Sequence, residues 1–335
     1  MHNSDLLFYE HIDQLRSSIP NTPTAIFEHT NHASTTLVAS YLRHYQIDFF
    51  HTLLAQRYCI WQSRIGSFQI VQQHWQAVKP KATIIISHGY LDHTALYGQL
   101  IQWALKQHYS VLCFDLPGHG LSNGQSATID HFDEYADTFA EVLKQAHQRN
   151  QNSNAILPIY TIGQSTGCST IANYLLTQTS HTTALPVPDK IIFLAPLVRS
   201  RHWNMLRWVY FALKNTMDSI RRRFVDSSHN RTFNYFVKHY DPFQTQAIYL
   251  RWLGAMESWH QTINTLQAQY YCHSQLLIIQ GTEDNTVDWR YNVPAMQRCF
   301  PNHTTCYIDG AGHHLANEIP QYWQGITESI HNYLA

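Results

Sequence analysis

A serine between two glycines is the strongest indication of chemistry in this sequence. The run GQSTG, residues 163–167, follows the apolar segment 159–163 and opens a helix-like segment that starts at Thr166. A chain that turns sharply from a strand into a helix needs small residues on both sides of the turn, and the turn lifts the serine hydroxyl towards solvent. Although this short pattern also occurs by chance, its position predicts that Ser165 is a nucleophile.

The hydroxyl group of serine is a weak nucleophile until a histidine accepts its proton and a carboxylate orients that histidine. A candidate carboxylate follows the apolar segment 275–280, in the run GTEDNTVD. This position is typical of the carboxyl end of a strand, where a turn presents its side chains at the edge of the sheet. Asp284 is the favoured acid, Asp288 is second and Glu283 is third.

The candidate base lies in the run GAGHH, residues 310–314, after the apolar segment 305–309. The two glycines let the backbone fold back so that an imidazole can reach the serine. His313 is favoured over His314 because it directly follows the glycine turn. Serine, acid and histidine then occur in the chain order of a doubly wound hydrolase scaffold.

Acyl transfer also requires hydrogen-bond donors for the negative oxygen of the tetrahedral intermediate. The backbone N–H that follows the nucleophile belongs to Thr166. A second N–H is expected from the loop after an earlier strand, and the run HGY at 88–90 follows the apolar segment 83–87. We therefore predict that the N–H groups of Tyr90 and Thr166 form the oxyanion hole, while His88 orders the loop.

The elements that position these groups follow from hydrophobic periodicity. Six short segments are continuously hydrophobic, which is typical of strands buried on both faces of a parallel sheet. They lie at residues 83–87, 110–115, 159–163, 190–196, 275–280 and 305–309. Helix-like segments alternate with them, at residues 96–107, 132–148, 166–178, 293–300 and 326–334. The alternation predicts an α/β fold with a mostly parallel, doubly wound sheet and helices on both faces.

Two regions interrupt this alternation. Residues 1–60 are predicted to form an N-terminal helical extension, with a helix over 34–57, followed by edge strands within 64–78. Residues 198–270 separate two strands by far more than an ordinary connection of about 2 to 6 residues, so we predict an inserted helical cap. The remaining chain is the predicted α/β core, residues 61–197 and 271–335.

The predicted cap differs from the rest of the chain in charge. The chain has 22 basic and 23 acidic residues, yet the segment 198–251 has ten basic and three acidic ones, a net charge of +7 against −8 elsewhere. One interpretation is a set of amphipathic helices whose aromatic side chains face the core. The other is that Trp203, Trp208 and Phe211 line an apolar acyl tunnel, while the basic face attracts anionic headgroups or an anionic lipid surface.

Five runs in order resemble the α/β-hydrolase superfamily, namely SHGY at 87–90, FDLPGHGLS at 114–122, GQSTG, GTED and GAGHH. Within it the chain looks most like the lysophospholipase and monoacylglycerol lipase group, which is also classed with serine aminopeptidases. The resemblance implies a serine hydrolase that acts on an ester of the lysophospholipid or monoacylglycerol type. It also implies that Asp115 and the loop 117–122 are scaffold. One difference is Gln164, because many members have a histidine before the nucleophile.

These residues leave the substrate open. A carboxylesterase, a thioesterase or an aminopeptidase acting on a small substrate uses the same groups, and a hydrolase scaffold can also serve as a non-catalytic binding protein. Dehalogenases and epoxide hydrolases on this scaffold use an aspartate nucleophile, so Ser165 argues against both.

Other functions find little support in the sequence. It contains no HExxH or CxxC metal motif and no GxGxxG dinucleotide loop, so we expect neither a metal nor a cofactor. Near-neutral net charge and a single short basic run at 221–223 argue against a nucleic-acid partner. Without a recognisable signal peptide or an apolar run of about 18 residues, and with Cys113 and Cys168 in apolar runs typical of reduced thiols, we expect a cytoplasmic protein.

Overall fold

The computed structural model describes residues 10–23, 25–28, 36–151, 156–178, 185–266, 272 and 274–335. The strands, in chain order, are β1 (Ala25–Glu28), β2 (Ala55–Ile65), β3 (Phe68–Ala77), β4 (Ala82–Ser87), β5 (Tyr109–Phe114), β6 (Ile159–Gln164), β7 (Lys190–Leu194), β8 (Ser219–Arg221), β9 (Ala247–Tyr249), β10 (Leu276–Gly281) and β11 (His303–Ile308). The helices are α1 (Ile12–Ser18), α2 (Thr36–His44), α3 (Gly98–Lys106), α4 (Phe132–Gln151), α5 (Thr166–Asn173), α6 (Trp203–Leu213), α7 (Arg231–His239), α8 (Leu250–Leu266), α9 (Trp289–Cys299) and α10 (Pro320–Leu334).

One large sheet forms the centre of the described structure. Its strand order is β1-β2-β3-β5-β4-β6-β7-β10-β11. In this sheet β5, β4, β6, β7, β10 and β11 are each parallel to their neighbours in that order. Strands β1, β2 and β3 pair with one another, and β3 pairs with β5, in antiparallel register. The predicted α/β-hydrolase fold, with its mostly parallel doubly wound sheet, is therefore confirmed. All carboxyl ends of the parallel strands meet at one edge, where loops can bring distant residues together.

The central strand β4 shows why these strands are continuously apolar. Ile84 and Ile86 belong to the hydrophobic cluster that includes α3 and α10, while Ile85 belongs to the cluster that includes α4 and α5. All three side chains are buried. Each such side chain contributes about 1.5–3 kcal/mol when it leaves water, and both faces of the sheet therefore need a layer of helices.

The predicted helix over residues 34–57 is wrong in its second half. α2 ends at His44, and β2 already begins at Ala55. Between them Gln46 and Leu53 have φ angles of 56° and 59°, in the left-handed region that a right-handed helix cannot contain. The chain therefore turns twice in a segment whose composition favours a helix.

The region 1–60 is also not purely helical, because β1 lies within it and pairs with β2. β2 itself runs across the predicted boundary at residue 60. The edge strands expected within 64–78 correspond to the end of β2 and to β3. The division into extension, core and cap stays a prediction.

The described residues between β7 and β10 form three helices, α6, α7 and α8, and the antiparallel pair β8–β9. Helix α8 packs on the core through two stacked aromatic pairs. Trp259 stacks on Phe132 with ring centroids 5.6 Å apart, and Trp252 stacks on Tyr90 at 3.6 Å. These pairs bury flat apolar surface where the segment meets the start of α4 and the loop after β4.

The hypothesis that Trp203, Trp208 and Phe211 line an acyl tunnel is wrong. Trp203 is buried and contacts His260, whereas Trp208 is 72 % exposed and Phe211 is 47 % exposed. Residues three apart share one face of a helix, and Met205 joins Trp208 and Phe211 on the outer face of α6. The aromatic residues of this helix are thus divided between the interior and the surface.

The described helices include none that is both long enough and apolar enough to cross a bilayer. The six cysteines are all thiols in this structure. A cytoplasmic location stays a prediction.

A buried ion pair joins the segment between β7 and β10, which is the predicted cap and is called the cap segment below, to the loop after β4. His93 Nε2, in the loop after β4, lies 3.2 Å from both carboxylate oxygens of Asp241, which follows α7. The hydroxyl of Tyr45, just after α2, donates to Asp241 Oδ1 at 2.9 Å. Three parts of the chain therefore meet at one carboxylate.

Each member of this pair favours the charge of the other. Burial by itself lowers the pKa of His93, but Asp241, with further contributions from Asp115 and Asp92, raises that pKa above its ordinary value. Burial opposes ionisation of Asp241, yet His93 and Gln244 outweigh it and lower the pKa of this carboxyl. The pair is therefore charged on both sides in mildly acidic solution.

We expect this pair to make stability depend on pH. The contribution of ionised Asp241 is complete above an ordinary aspartate pKa of about 3.9 and is lost as the pH falls through its lowered value. The contribution of charged His93 is complete below about 6.5 and is lost as the pH rises through its raised pKa. Asp241→Asn should lower the free energy of unfolding by about 3–5 kcal/mol near pH 5.5 and by less near pH 9.

Urea denaturation at both pH values measures this difference. Asp218→Asn, at an exposed aspartate of the same segment, is the control and should show no such dependence. An identical deficit for Asp241→Asn at both pH values would contradict the ion-pair account.

Candidate active site

Ser165 occupies the turn between β6 and α5. Its backbone has φ 54° and ψ −111°, a conformation that residues other than glycine rarely adopt and that costs of order 1–3 kcal/mol. Hydrogen bonds hold it in place: Ser165 N donates to Leu194 O at 2.9 Å, and Ser165 O accepts from Cys168 N at 3.0 Å and Leu197 N at 3.2 Å. The end of β7 and the start of α5 thus fix a strained serine.

The glycines on both sides of Ser165 are required by space. A Cβ atom at Gly163 would lie 2.6 Å from Cys168 N, and a Cβ atom at Gly167 would overlap the carbonyl oxygen of Ser87 on β4. Neither glycine has a positive φ angle. The GxSxG spacing therefore lets α5 approach the sheet closely while the serine alone adopts the left-handed backbone.

His313 and Asp284 are in direct contact. His313 Nδ1 lies 2.7 Å from Asp284 Oδ2, and both side chains are buried. Because an ionised carboxylate only accepts, Nδ1 is the donor and Nε2 is left as an acceptor in the neutral ring. Asp284 Oδ1 accepts from the backbone N–H groups of Thr286 at 2.8 Å and Val287 at 3.1 Å. Burial opposes the charge of Asp284, but His313 and these N–H groups lower its pKa below the ordinary value.

The histidine loop passes close over the end of β10. A Cβ atom at Gly281 would overlap the carbonyl oxygen of Gly312, so only glycine permits this approach. Gly310 has a φ angle of 77°, which lets the chain reverse after β11. Gly312 N donates at 2.8 Å to the buried carboxylate of Glu318. The loop is thus held from below by β10 and from the side by Glu318.

The two alternative acids have other partners. Asp288 Oδ2 accepts two hydrogen bonds from Arg199, at 2.6 Å and 2.9 Å. The Glu283 carboxylate is largely exposed and lies 3.8 Å from His229 Nε2. Of the three carboxylates in this turn, the structure brings Asp284 to the candidate histidine.

The alternative histidine supports the loop that carries Tyr90. His314 Nε2 lies 3.2 Å from Asp92 Oδ2, and this oxygen also accepts from the Tyr97 hydroxyl at 2.9 Å. The Tyr97 oxygen in turn accepts from Gly89 N at 2.9 Å. Burial alone would raise the pKa of Asp92, but His314 and Tyr97 contribute to lowering it, so the network is built around an ionised carboxylate.

The two predicted oxyanion donors lie at the same edge of the sheet. Thr166 is the first residue of α5, whose first N–H groups have no acceptor within the helix. Gly89, which precedes Tyr90, lies against Ser165: a Cβ atom added to Gly89 would be 3.4 Å from Ser165 Cβ. Neither the Tyr90 nor the Thr166 N–H has an acceptor among the described residues. Both are therefore available to an oxyanion.

His88 and Asp115 bind backbone, as scaffold residues do. His88 Nδ1 lies 2.8 Å from Gly89 O, and His88 Nε2 accepts from Leu116 N at 2.9 Å. Burial lowers the pKa of His88 to about 4, so the ring is neutral with its hydrogen on Nδ1. Asp115 likewise accepts from Leu121 N at 2.8 Å.

Two buried glutamines contact the candidate residues and were not assigned to the site from the sequence. Gln164 Nε2 donates to the backbone oxygen of His313 at 2.9 Å, and Gln280 Nε2 donates to Asp284 Oδ2 at 3.1 Å. Gln164 stands out in the sequence only as a difference from the family. Its partner is 149 positions away, so no local pattern could have identified the contact.

A cavity of about 280 Å³ adjoins His313. The cap segment contributes Asp226, His229 and Arg231 to its lining, and the acid loop contributes Glu283. The lining is therefore rich in charged and hydrogen-bonding side chains, which suits a polar group better than an acyl chain.

Comparison with known proteins gives consistent matches. A family model described as serine aminopeptidase, S33, matches residues 78–320. A monoglyceride lipase homolog of Monkeypox virus is 22 % identical over 266 residues, covering 78 % of this chain and 92 % of the relative. The monoglyceride lipase of Homo sapiens is 21 % identical over 276 residues, covering 78 % of this chain and 86 % of the relative.

A solved structure shows the same fold. It is a soluble variant of monoglyceride lipase from Saccharomyces cerevisiae in complex with a substrate analog, with a TM-score of 0.70 and 14 % sequence identity. The match covers 82 % of this chain and 93 % of that one. The family model's match, residues 78–320, includes strands on both sides of the inserted segment.

The close approach of α5 to β4 predicts that Gly167→Ala is strongly destabilising. The Ser87 carbonyl belongs to the sheet backbone and cannot move aside, so we expect a loss of about 3 kcal/mol or more in the free energy of unfolding. Gly325→Ala on α10 is the matched control, because its Cβ would meet Ile308 Cδ1 at an ordinary 3.5 Å and alanine favours a helix. Urea denaturation compares the two, and equal stability would contradict the packing argument.

Proposed function

Because this chain belongs to the serine aminopeptidase, S33, family, we propose that it is a serine hydrolase that cleaves a lipid carboxylic ester. The favoured substrates have one acyl chain, as a monoacylglycerol or a lysophospholipid does. The two monoglyceride lipase relatives support this class, since each alignment extends over 78 % of the chain.

The proposed reaction is a two-step acyl transfer. Ser165 Oγ attacks the ester carbonyl while His313 Nε2 accepts its proton and then delivers that proton to the leaving alcohol. Asp284 orients the imidazole and stabilises the imidazolium, and the N–H groups of Tyr90 and Thr166 stabilise the oxyanion. Water then repeats these steps on the acyl-enzyme and releases the carboxylic acid.

The observation that carries this proposal is the 2.7 Å contact between His313 and Asp284. Gln164, the residue before Ser165, also donates a hydrogen bond to the backbone oxygen of His313. The lowered pKa of Asp284 keeps the carboxylate ionised at neutral pH. An ionised carboxylate that is hydrogen-bonded to Nδ1 stabilises the imidazolium that forms when the serine proton is transferred.

The cavity beside His313 supports the proposal that the leaving alcohol is polar. In the proposed reaction this histidine protonates the leaving oxygen, so the alcohol departs next to its imidazole. The charged and polar lining, with Asp226, His229 and Arg231, suits a glycerol or glycerophosphate headgroup.

The proposed mechanism uses only groups of this chain and requires neither a metal nor a cofactor. Within the described parts of the chain, no three His, Cys, Asp or Glu side chains form a group that could hold a metal ion. We propose a small lipid ester, and no nucleic acid, as the partner.

Three substitutions test the proposed triad. Ser165→Ala should abolish both labelling by a fluorophosphonate probe and hydrolysis of a short p-nitrophenyl ester. Asp284→Asn should lower kcat by about 10³- to 10⁴-fold, because an amide at this position favours the wrong tautomer of His313. Asp288→Asn, in the same turn, is the matched control and should retain kcat. Folded wild-type protein that is neither labelled nor active would favour a non-catalytic binding protein.

A substrate panel then separates the reaction classes. Monoacylglycerols, lysophospholipids, acyl thioesters and aminoacyl anilides are compared by kcat/KM. The proposal expects the two lipid esters to exceed the others. A preference for the anilide would indicate an aminopeptidase, and a preference for short esters or thioesters would indicate a carboxylesterase or thioesterase.

We also propose that the cap contacts an anionic lipid surface. The exposed apolar side chains of Met205, Trp208 and Phe211 lie on the outer face of α6, and Lys214 Nζ lies 5.0 Å from the Phe211 ring. The basic run 221–223 belongs to the same segment. Apolar side chains beside cations favour the boundary between acyl chains and anionic headgroups.

Vesicle sedimentation tests this surface. Trp208→Gln should weaken binding to phosphatidylglycerol vesicles by about 10-fold, which corresponds to about 1.4 kcal/mol of lost apolar burial. Leu53→Gln, at an apolar residue that is 69 % exposed outside the cap, is the control and should bind as the wild type does. Unchanged binding of Trp208→Gln, or equal binding to phosphatidylcholine vesicles, would remove the proposal.

A further inference from the structure

Gln164 connects the nucleophile's strand to the backbone of the candidate base. It is the last residue of β6, it is buried, and its Nε2 donates to His313 O at 2.9 Å. A backbone carbonyl oxygen only accepts, so the amide nitrogen must face it. The contact thus links the neighbour of Ser165 to His313 across 149 positions of the chain.

Gln280 makes the corresponding contact with the candidate acid. It lies at the carboxyl end of β10, it is fully buried, and its Nε2 donates to Asp284 Oδ2 at 3.1 Å and to Gly281 O at 2.9 Å. Both acceptors lack hydrogens, which fixes the orientation of this amide as well. Asp284 Oδ2 is also the oxygen that contacts His313 Nδ1.

Part of each glutamine amide is unsatisfied. Gln164 Oε1 and Gln280 Oε1 are buried without a hydrogen-bond partner in the described structure. An unsatisfied buried polar atom costs about 1–3 kcal/mol. A methionine of similar length would avoid this cost, but it would leave His313 O or Asp284 Oδ2 with one donor fewer, so the two effects on stability largely offset each other.

We propose that Gln164 and Gln280 are positioning residues that hold His313 from two directions, through its backbone oxygen and through its carboxylate partner. This inference rests on the proposed esterase mechanism. The loop before His313 contains Gly310 and Gly312, and glycine backbone does not restrict its own conformation. Glu318 and β10 hold the glycines of this loop, and the two strand-end amides add contacts at His313 itself and at its carboxylate partner.

Gln280 has a second effect, because its hydrogen bond to Asp284 Oδ2 partly neutralises the negative charge on that oxygen. With this donor removed, the oxygen accepts one hydrogen bond fewer and attracts the imidazolium more strongly. The hydrogen bond between His313 Nδ1 and Asp284 Oδ2 should therefore become stronger in Gln280→Met.

Gln164→Met and Gln280→Met remove the donors while keeping side-chain length. Each should lower kcat by about 10- to 100-fold, as expected for a displaced base, with little change in KM. The free energy of unfolding should change little, because the removed unsatisfied amide oxygen offsets the hydrogen bond that the buried acceptor loses.

Gln73→Met is the matched control. Gln73 is also fully buried, but its amide contacts the hydroxyls of Tyr41 and Tyr58. Its variant should keep the wild-type kcat. A loss of activity in Gln164→Met that is matched by an equal loss of folded protein, or an equal loss in Gln73→Met, would show a merely structural role and overturn the inference.

A readout without substrate separates this inference from the proposed function. The proton on His313 Nδ1, bonded to Asp284, gives a downfield resonance in the proton spectrum that Asp284→Asn should remove. We expect this resonance to shift or broaden in Gln164→Met and Gln280→Met and to stay unchanged in Gln73→Met. Wild-type protein without esterase activity would refute the function, whereas unchanged kcat and an unchanged resonance in the two variants would refute the positioning role.

Discussion

The left-handed backbone of Ser165 is the constraint on which the surrounding structure depends. A residue with a side chain adopts this conformation only when its neighbours enforce it. Here the end of β7 and the first turn of α5 bind both polar groups of its backbone. The glycines at 163 and 167 then allow α5 and β4 to approach as closely as this turn demands. The position of the helix and the identity of two flanking residues therefore follow from the conformation of one serine.

Carboxylates that accept several hydrogen bonds organise the loops around this turn. Asp284 holds the histidine and the turn after β10, Asp115 holds the loop after β5, and Glu318 holds the glycine loop before His313. Burial opposes the charge of Asp284, but the hydrogen bonds that it accepts outweigh this effect and lower its pKa. Loops that contain many glycines are thus made rigid by side chains from other parts of the chain.

The cap segment has two different surfaces. Its inner side is attached by the stacking of Trp252 on Tyr90 and by the His93–Asp241 ion pair, so it bears directly on the loop with the proposed oxyanion donor. Its outer side exposes the apolar face of α6. The near-zero net charge of the whole chain does not reveal the positive charge of this segment, because the excess of basic residues here cancels the acidic excess elsewhere. Substrate choice and any contact with lipid are therefore expected to depend on this segment more than on the sheet.

Much of the fold followed from the sequence alone, because continuous apolar segments and GxSxG spacing depend on neighbouring residues. The parallel strands and the placement of Ser165 at a strand-to-helix turn are of this kind. The end of α2 at His44 could not be predicted in this way, since two left-handed residues interrupt a segment whose composition favours a helix. Which of three nearby carboxylates contacts His313, and which residue Gln164 binds, depended on tertiary structure. Such contacts join residues far apart in the chain, and only the packing of the sheet brings their atoms within hydrogen-bonding distance.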